Sequence, residues 1–150
     1  MEGEWAVQQP DDPGPEDGYL TILQTVRTVA VVGLSPNPER ASHRVALYLR
    51  EQGYRIVPVN PTVAHVLGER SFPSLAQIAE PVDVVEVFRR SEEVPPLVEE
   101  AVRIGAKVVW MQEGVVHEEA AAKARAAGLT VVMDRCMQRE HSRLRRAGRI

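Results

Sequence analysis

Apolar residues occur along the chain in short continuous runs, separated by longer segments of helical periodicity. Five runs are typical of strands buried on both faces of a sheet, at residues 28–33, 54–60, 82–88, 106–112 and 129–134. Between them, residues 41–52, 91–105 and 117–127 favour helices, and each ends at or just before a glycine. Alternating strands and helices predict right-handed βαβ crossovers and a parallel sheet with helices on both faces.

Individual residues refine this pattern. Pro58 in the second run has no N–H to donate to a neighbouring strand, so that end of the strand is expected near an edge or a bend. Ser91 is expected to cap the following helix, whose dipole favours the acidic residues after it. We also predict a leading helix over residues 19–27, one or two helical turns over 74–79 and a final helix over 139–146, with 61–73 irregular.

These elements predict an α/β fold: a Rossmann-like doubly wound parallel sheet of about five strands with helices on both faces. The expected strand order is 3-2-1-4-5. Residues 1–18 are acidic, with three prolines, three glycines and no periodicity, which indicates a flexible N-terminal segment. Residues 19–150 are expected to form a single domain.

Composition narrows the class of protein. The hydrophobic content of 44% and charged content of 26% are ordinary for a globular domain. A net charge of −3 argues against nucleic-acid binding by bulk electrostatics, and the single cysteine excludes an internal disulfide framework. No apolar run is long enough to span a membrane, and the N-terminus does not resemble a signal peptide. A cytoplasmic location is expected, and the histidines show no metal-ligand spacing.

Open parallel sheets bind ligands beyond the carboxyl ends of their strands, where the winding reverses. With the order 3-2-1-4-5, this switch point lies between the first and fourth strands. Residues 33–42 and 112–116 would flank it, and residues 60–65 and 88–93 would form one wall.

The first of these loops has the chemistry of an anion site. Free N–H groups at the start of the following helix point into the loop, and the hydroxyls of Ser35 and Ser42 and the guanidinium of Arg40 add donors. His43 and Arg44 place cations in the first helical turn, where the dipole disfavours them by up to about 1 kcal/mol, and a bound anion would offset that cost. The alternative is an ordinary strand–helix loop that binds nothing.

The common nucleotide fingerprints are missing. Only Gly33 is present where dinucleotide-binding loops have three glycines, and Asn60 stands where they carry an acid at the end of the second strand. The chain also has no P-loop motif. NAD, FAD and nucleoside triphosphates are therefore disfavoured, although an NAD(H)-type redox or metabolite sensor stays as an alternative.

The ordered series VVGLS, VNP, VDVVEVF, EEAVRIGAKVVWMQEG and AGLTVVMDRC, between about residues 27 and 144, resembles the CoA-binding domain family. That family is similar to the N-terminal CoA-binding domain of the succinyl-CoA synthetase alpha subunit. The resemblance implies that coenzyme A, or an acyl-CoA, is the ligand. The implied binding residues are Gly33, Leu34, Ser35, Pro36, Arg40, Ser42, His43, Val59, Asn60, Pro61, Val87, Phe88, Arg89, Gln112, Glu113 and Gly114.

Two departures from the family pattern limit this expectation. The synthetases tend to have a basic residue where this chain has Val63. Binding of the ribose 3′-phosphate would therefore depend on Arg40, Arg44 or Arg89. Their phosphorylated histidine lies in a second domain that this sequence lacks, so no catalytic residue is assigned and no ligation by the chain alone is expected. A homodimer, or a role as the CoA-binding half of a split acyl-CoA synthetase, remains an alternative.

Three further features have two interpretations each. Glu113 either serves a ligand, as a hydrogen-bond acceptor or general base, or accepts backbone N–H groups of the next helix, which we favour. Cys136 is either a buried small residue or a thiol that forms a mixed disulfide with CoA. The arginine-rich residues 135–149 are either a polyanion site or a solvated helix face that partly balances the acidic N-terminus.

Overall fold

The computed structural model describes residues 11–150. Its main sheet has five strands, all parallel, in the order β2-β1-β5-β6-β7. A separate two-stranded antiparallel hairpin consists of β3 and β4. The strands are β1 (Thr28–Val32), β2 (Arg55–Val59), β3 (His65–Val66), β4 (Glu69–Arg70), β5 (Val84–Val87), β6 (Val108–Met111) and β7 (Thr130–Val132).

Five α-helices connect and flank these strands. They are α1 (Tyr19–Thr25), α2 (Ala41–Glu51), α3 (Val94–Arg103), α4 (Glu118–Ala126) and α5 (Met137–Arg146). Short 3₁₀ turns occur at Leu75–Gln77 and Ser91–Glu93. The predicted α/β fold with a doubly wound parallel sheet is confirmed, and no helix in the described part of the chain is long and apolar enough to cross a membrane.

The sheet separates two hydrophobic cores of different composition. Helices α3 and α4 cover one face with aliphatic residues and alanines, among them Val98 and Ala121. Helices α1, α2 and α5 cover the other face, which also buries Tyr19, Trp110 and Cys136. Each strand is apolar nearly throughout because both of its faces are buried, which is the origin of the continuous runs in the sequence.

The expected strand order 3-2-1-4-5 is wrong. The third strand of the sheet, β5, lies beside β1 on the side opposite β2, so that Val31 pairs with Pro58 on one side and Glu86 on the other. The expectation for Pro58 is confirmed, because β2 is the edge strand. The carbonyl of Pro58 accepts the Phe72 N–H at 3.0 Å on the outer side, so the missing N–H of Pro58 also faces away from β1.

The prediction that Ser91 caps the next α-helix is also wrong. A 3₁₀ turn occupies Ser91–Glu93, and α3 begins only at Val94, with Glu93 at the cap position and no side-chain capping bond. The Ser91 hydroxyl instead accepts the Val116 N–H at 3.0 Å. Ser91 therefore ties the loop after β5 to the loop after β6.

Part of the predicted N-terminal segment, residues 1–10, lies outside the described residues. Gly14–Gly18 forms a single helical turn packed against the arginines of the C-terminus. Glu16 pairs with Arg143 at 3.1 Å, and Asp17 pairs with Arg149 at 3.1 Å. These exposed ion pairs are worth little stability one by one, but they support the interpretation that the arginine-rich segment balances acidic N-terminal residues. The boundary at residue 19 stays a prediction.

Candidate functional site

The winding of the sheet reverses between β1 and β5, so the loops after these two strands meet at the carboxyl edge. The expected switch point between the first and fourth strands is therefore wrong. Residues 88–93, expected to form a side wall, lie beside the first loop at the centre. The difference arises because β5 returns to β1 rather than extending the sheet beyond β2.

Gly33 is the point of closest approach between these two loops. Its N–H donates to the Val59 carbonyl at 2.9 Å, and the Phe88 N–H donates to the Val32 carbonyl at 2.9 Å. Gly33 has φ +88°, and a Cβ at this position would lie 2.4 Å from the Phe88 carbonyl oxygen. Glycine is thus required both by the backbone conformation and by the contact.

Side chains of the first loop hold its conformation. The Ser42 hydroxyl accepts the Ser35 N–H at 3.0 Å, and Nδ1 of His43 lies 3.0 Å from the Ser35 carbonyl. The Ser35 hydroxyl accepts the Asn37 N–H at 3.0 Å. Each serine oxygen still has its own proton to donate. The loop is therefore ordered by its own residues while two hydroxyl donors remain.

Asn60 joins the loops that follow β1 and β2. Its Nδ2 donates to the Leu34 carbonyl at 2.9 Å, and its Oδ1 accepts both the N–H and the hydroxyl of Thr62. The residue at the position of the dinucleotide-binding acid is thus a structural link between loops. This assigns Asn60 a positioning role for the carboxyl edge of the sheet.

A cleft of about 530 Å³ opens at the switch point. Four of the predicted binding residues line it, namely Phe88, Arg89, Gln112 and Glu113. Four others that line it, Ala41, Arg90, Glu93 and Val115, belong to loops expected at the site but were not among the individual binding residues. Because Ala41 is the first residue of α2, the free N–H groups of that helix open toward the cleft. The correct strand order would have placed the 88–93 loop at the centre of the site rather than at its side.

The charges around the cleft are of both signs. Arg90 pairs with Glu93 at 3.0 Å, while Arg89 lies 3.8 Å from the same carboxylate. Glu113 pairs with Arg139 of α5 at 2.9 Å rather than with backbone N–H groups of α4. Two partly compensated arginines therefore face the start of a helix, an arrangement suited to an anionic ligand.

Two buried side chains near this edge have acceptor oxygens with no hydrogen-bond partner within the described residues: Gln112, through Oε1, and Glu86, through both carboxylate oxygens. Glu86 is fully buried on β5, between Val31 and Trp110 in the register. Burial raises the pKa of Glu86 to about 8. Glu86 was missed at the sequence level, although an acid with two apolar residues on each side in the run VDVVEVF was the signal.

Residues 27–142 match the family model described as the CoA binding domain. The match covers most of the chain. The chain belongs to the CoA-binding domain family.

Individual relatives of this CoA-binding domain chain are similar over most of its length. The uncharacterized protein YneT of Bacillus subtilis strain 168 is 46% identical over 121 residues, which cover 81% of this chain and 90% of YneT. A solved structure of a hypothetical protein from Pyrococcus horikoshii OT3 has 42% identity and a TM-score of 0.87, with 92% and 96% of the two chains covered. The ADP-forming acetate–CoA ligase I of Archaeoglobus fulgidus is 26% identical over 121 residues, but this chain covers only 18% of that ligase.

The other predicted binding residues of this CoA-binding domain lie around the cleft or beneath it. Leu34, Val59 and Val87 are buried in the two cores, so only their backbone is available to a ligand. The loops outside the cleft lining expose Pro36, Arg40 and Pro61. The N–H of Gly114 donates to Asp134 Oδ1 at 2.7 Å. The roles of these residues stay predictions.

Cys136 and His117, two further residues with reactive or metal-binding side chains, have structural roles. Cys136 is buried in the core on the α5 face. Nδ1 of His117 accepts the Ala120 N–H at 3.1 Å and caps α4. No cluster of three or more metal-ligating residues occurs within residues 11–150.

Proposed function

We propose that this protein binds coenzyme A, or a short acyl-CoA, in the cleft between the loops after β1 and β5. The observation that carries the proposal is the composition of this cleft. It combines the open start of α2 and the Arg89 guanidinium with the apolar surface of Phe88 and Val115 and a buried amide of Gln112. Coenzyme A has the matching parts: phosphates, an adenine ring and an uncharged amide-containing arm.

The residues present fit such a ligand. In this proposal the phosphates are held by the free N–H groups at the start of α2, by the remaining hydroxyl protons of Ser35 and Ser42, and by Arg89. The stem of Arg89 lies close to Gly33, since its Cδ would be 3.4 Å from a Cβ there. A larger residue at position 33 would occupy the approach to this anion site. Phe88 provides the apolar surface for the adenine or the pantetheine arm.

The proposal is one of binding without ligation by this chain alone. Similarity to an acetate–CoA ligase supports a shared binding domain, while the chain covers 18% of that enzyme. A second copy of this chain, or a separate synthetase subunit, is the partner we would test for by size analysis and pull-down. We place the protein in the cytoplasm, and a reduced Cys136 is consistent with that compartment.

Isothermal titration calorimetry with CoA, acetyl-CoA, NAD and ATP tests the assignment. We expect heat with CoA and acetyl-CoA and dissociation constants in the micromolar range or weaker. The binding free energy would then be about −8 kcal/mol or less favourable. Heat with NAD and none with CoA would favour the NAD(H)-type sensor and overturn the proposal.

Arginine variants test the location. Arg89→Ala should weaken CoA binding by about 10-fold to 100-fold, because a charge-assisted hydrogen bond contributes about 1.5–3 kcal/mol. Arg103→Ala is the matched control: Arg103 is an exposed arginine in the last turn of α3, at the opposite end of that helix from the cleft. The affinity of Arg103→Ala for CoA should stay within about twofold of wild type. Equal effects from the two variants would indicate nonspecific electrostatics.

A further inference from the structure

Glu86 is a buried acid that the proposed function does not use. Its side chain is fully buried in the middle of the sheet, and neither oxygen has a hydrogen-bond partner within residues 11–150. An ionised carboxylate in this position would be desolvated with nothing to compensate it, so the neutral, protonated form is favoured. A protonated carboxyl group has one O–H to donate, and a buried donor needs an acceptor.

The register of the sheet places one such acceptor nearby. Glu86 pairs with Trp110 on β6, and Gln112 follows two residues later, its N–H still donating to the Val87 carbonyl at 3.2 Å. Gln112 lies one residue past the end of β6, and continuing the alternation of that strand places it on the side of the sheet that holds Trp110 and Glu86. Oε1 of Gln112 is also buried and unpartnered within the described residues.

We propose that Glu86 is a positioning residue for the cleft, in which its protonated carboxyl donates, directly or through one water, to Gln112 Oε1. This bond fixes the Gln112 side chain and turns its amide N–H₂ group toward the ligand. The inference rests on the proposed function only in that the ligand is an acyl-CoA. Its consequence is proton-linked binding, since loss of the Glu86 proton removes the donor and leaves two acceptors facing each other.

Other ionisable groups do not account for the state of Glu86. Burial alone raises its pKa, to about 8. The titratable side chains that α1, α2, α5 and adjoining segments pack on this side of the sheet are Tyr19, Tyr48, Tyr54, Cys136 and His141. On the same elements His43 and Glu140 are half-buried, and Arg44 and Arg135 are exposed. None of these described groups contributes to the shift, so the titration can be assigned to Glu86.

The first test is the affinity for acetyl-CoA, which has no free thiol, at about pH 7 and about pH 9. If only the protonated protein binds well, a pKa of about 8 makes the wild-type dissociation constant about tenfold larger at the higher pH. Glu86→Gln stays neutral throughout, and its affinity should change by less than about twofold between these conditions. Glu118→Gln, an exposed acid at the start of α4, should retain the wild-type pH profile. Parallel profiles for wild type and Glu86→Gln would overturn the inference.

The second test needs no ligand and separates the two proposals. In ¹H–¹⁵N NMR spectra of wild type, the side-chain amide of Gln112 and the indole N–H of Trp110 should both shift with one midpoint near that of Glu86. Both transitions should vanish in Glu86→Gln, and Gln112→Met assigns the amide signal. If the Trp110 signal titrates while Gln112 does not, or if neither moves, the inference is overturned. If both titrate and acetyl-CoA binds at no pH, the proposed function fails while the Glu86–Gln112 link is retained.

Discussion

Two carboxyl groups three residues apart, Asp83 and Glu86, have opposite environments at the two ends of β5. Asp83, just before the strand, accepts the N–H groups of Arg27 at 2.8 Å and Thr28 at 3.0 Å and pairs with Lys107 at 3.4 Å. Burial alone would raise the pKa of Asp83, but these hydrogen bonds and the Lys107 charge together lower it. Glu86 has none of these partners among the described residues, and burial raises its pKa.

The same contrast between satisfied and unsatisfied polar groups distinguishes the two ends of the strands. At the amino ends of the strands, a carboxylate satisfies backbone donors of the neighbouring strand and thereby fixes the pairing of β1 with β5. At the carboxyl ends, close backbone contact around Gly33 leaves helix N–H groups and the Gln112 oxygen unused. A buried polar group without a partner is costly in a folded chain, so the position of the Gln112 oxygen beside the cleft supports the proposed ligand site at this end.

The largest effect is expected at Gly33. Gly33→Ala combines a positive φ with a Cβ 2.4 Å from the Phe88 carbonyl oxygen, so the loops after β1 and β5 must separate. We expect the free energy of unfolding, measured with urea, to fall by about 2–5 kcal/mol, the sum of the costs of a left-handed conformation and of overpacking.

Gly128→Ala is the matched control, because Gly128 follows the end of α4 near the amino edge of the sheet with φ +96°, and a Cβ there would have no neighbouring atom within 4 Å. Only the conformational cost applies at this position, about 1–2 kcal/mol. An equal loss of unfolding free energy in the two variants would mean that the loops after β1 and β5 separate at no cost. The close contact at Gly33 would then not contribute to stability.

A second prediction concerns stability against pH at Glu86. The folded pKa of about 8 lies above the ordinary glutamate value of 4.5, so the folded protein binds more protons than the unfolded chain between these values. The stability linked to Glu86 is therefore fully present below about pH 4.5 and is lost as the pH rises through about 8. The limiting slope is about 1.4 kcal/mol per pH unit.

Glu86→Gln removes this dependence. Between about pH 5 and about pH 8 the free energy of unfolding of the variant should rise by about 2–3 kcal/mol relative to wild type. This is less than the limiting slope gives, because the buried site relaxes around the charge. Urea unfolding of both proteins at several pH values measures the difference. A constant difference across the range would show that Glu86 is ionised in the folded state and that its pKa is not raised.

Much of the fold was predictable because both core faces leave continuous apolar runs. The five strands and the helices between them were predicted to within a few residues, and the family resemblance is confirmed. The strand order was predicted incorrectly, although Pro58 indicates the correct one. A proline whose missing N–H faces outward requires β2 at the edge, and a third strand then cannot lie beyond it.

Other features depend on contacts that a sequence pattern does not encode. The β3–β4 hairpin turns at Leu67 and Gly68 with φ 55° and 75°, and leucine is not a residue that predicts a left-handed turn. Ser91 has the sequence context of a helix cap but bonds to Val116 on the next loop. The cleft residues Ala41 and Val115 lie in the two loops expected to flank the site, but their side chains have no chemistry that would single them out as lining residues.

The smallest effect is expected at the opposite end, for Asp83→Asn. The amide can still accept from the backbone of Arg27 and Thr28 through its oxygen, but the charge that strengthens these bonds is lost. Near neutral pH we expect a loss of about 1 kcal/mol in the free energy of unfolding, with little from Lys107, whose side chain is 74% exposed.

The pH dependence gives the sign of this contribution. The folded pKa of Asp83 is lowered below 3.8, so its stabilisation is present above 3.8 and is lost as the pH falls through the folded value. As the pH rises, Asp83→Asn should therefore lose stability relative to wild type, whereas Glu86→Gln should gain stability relative to wild type. Glu118→Gln, on the exposed face of α4, should show neither trend. If Asp83→Asn and Glu86→Gln instead follow the same trend with pH, the two ends of β5 do not differ in the way their hydrogen bonds indicate.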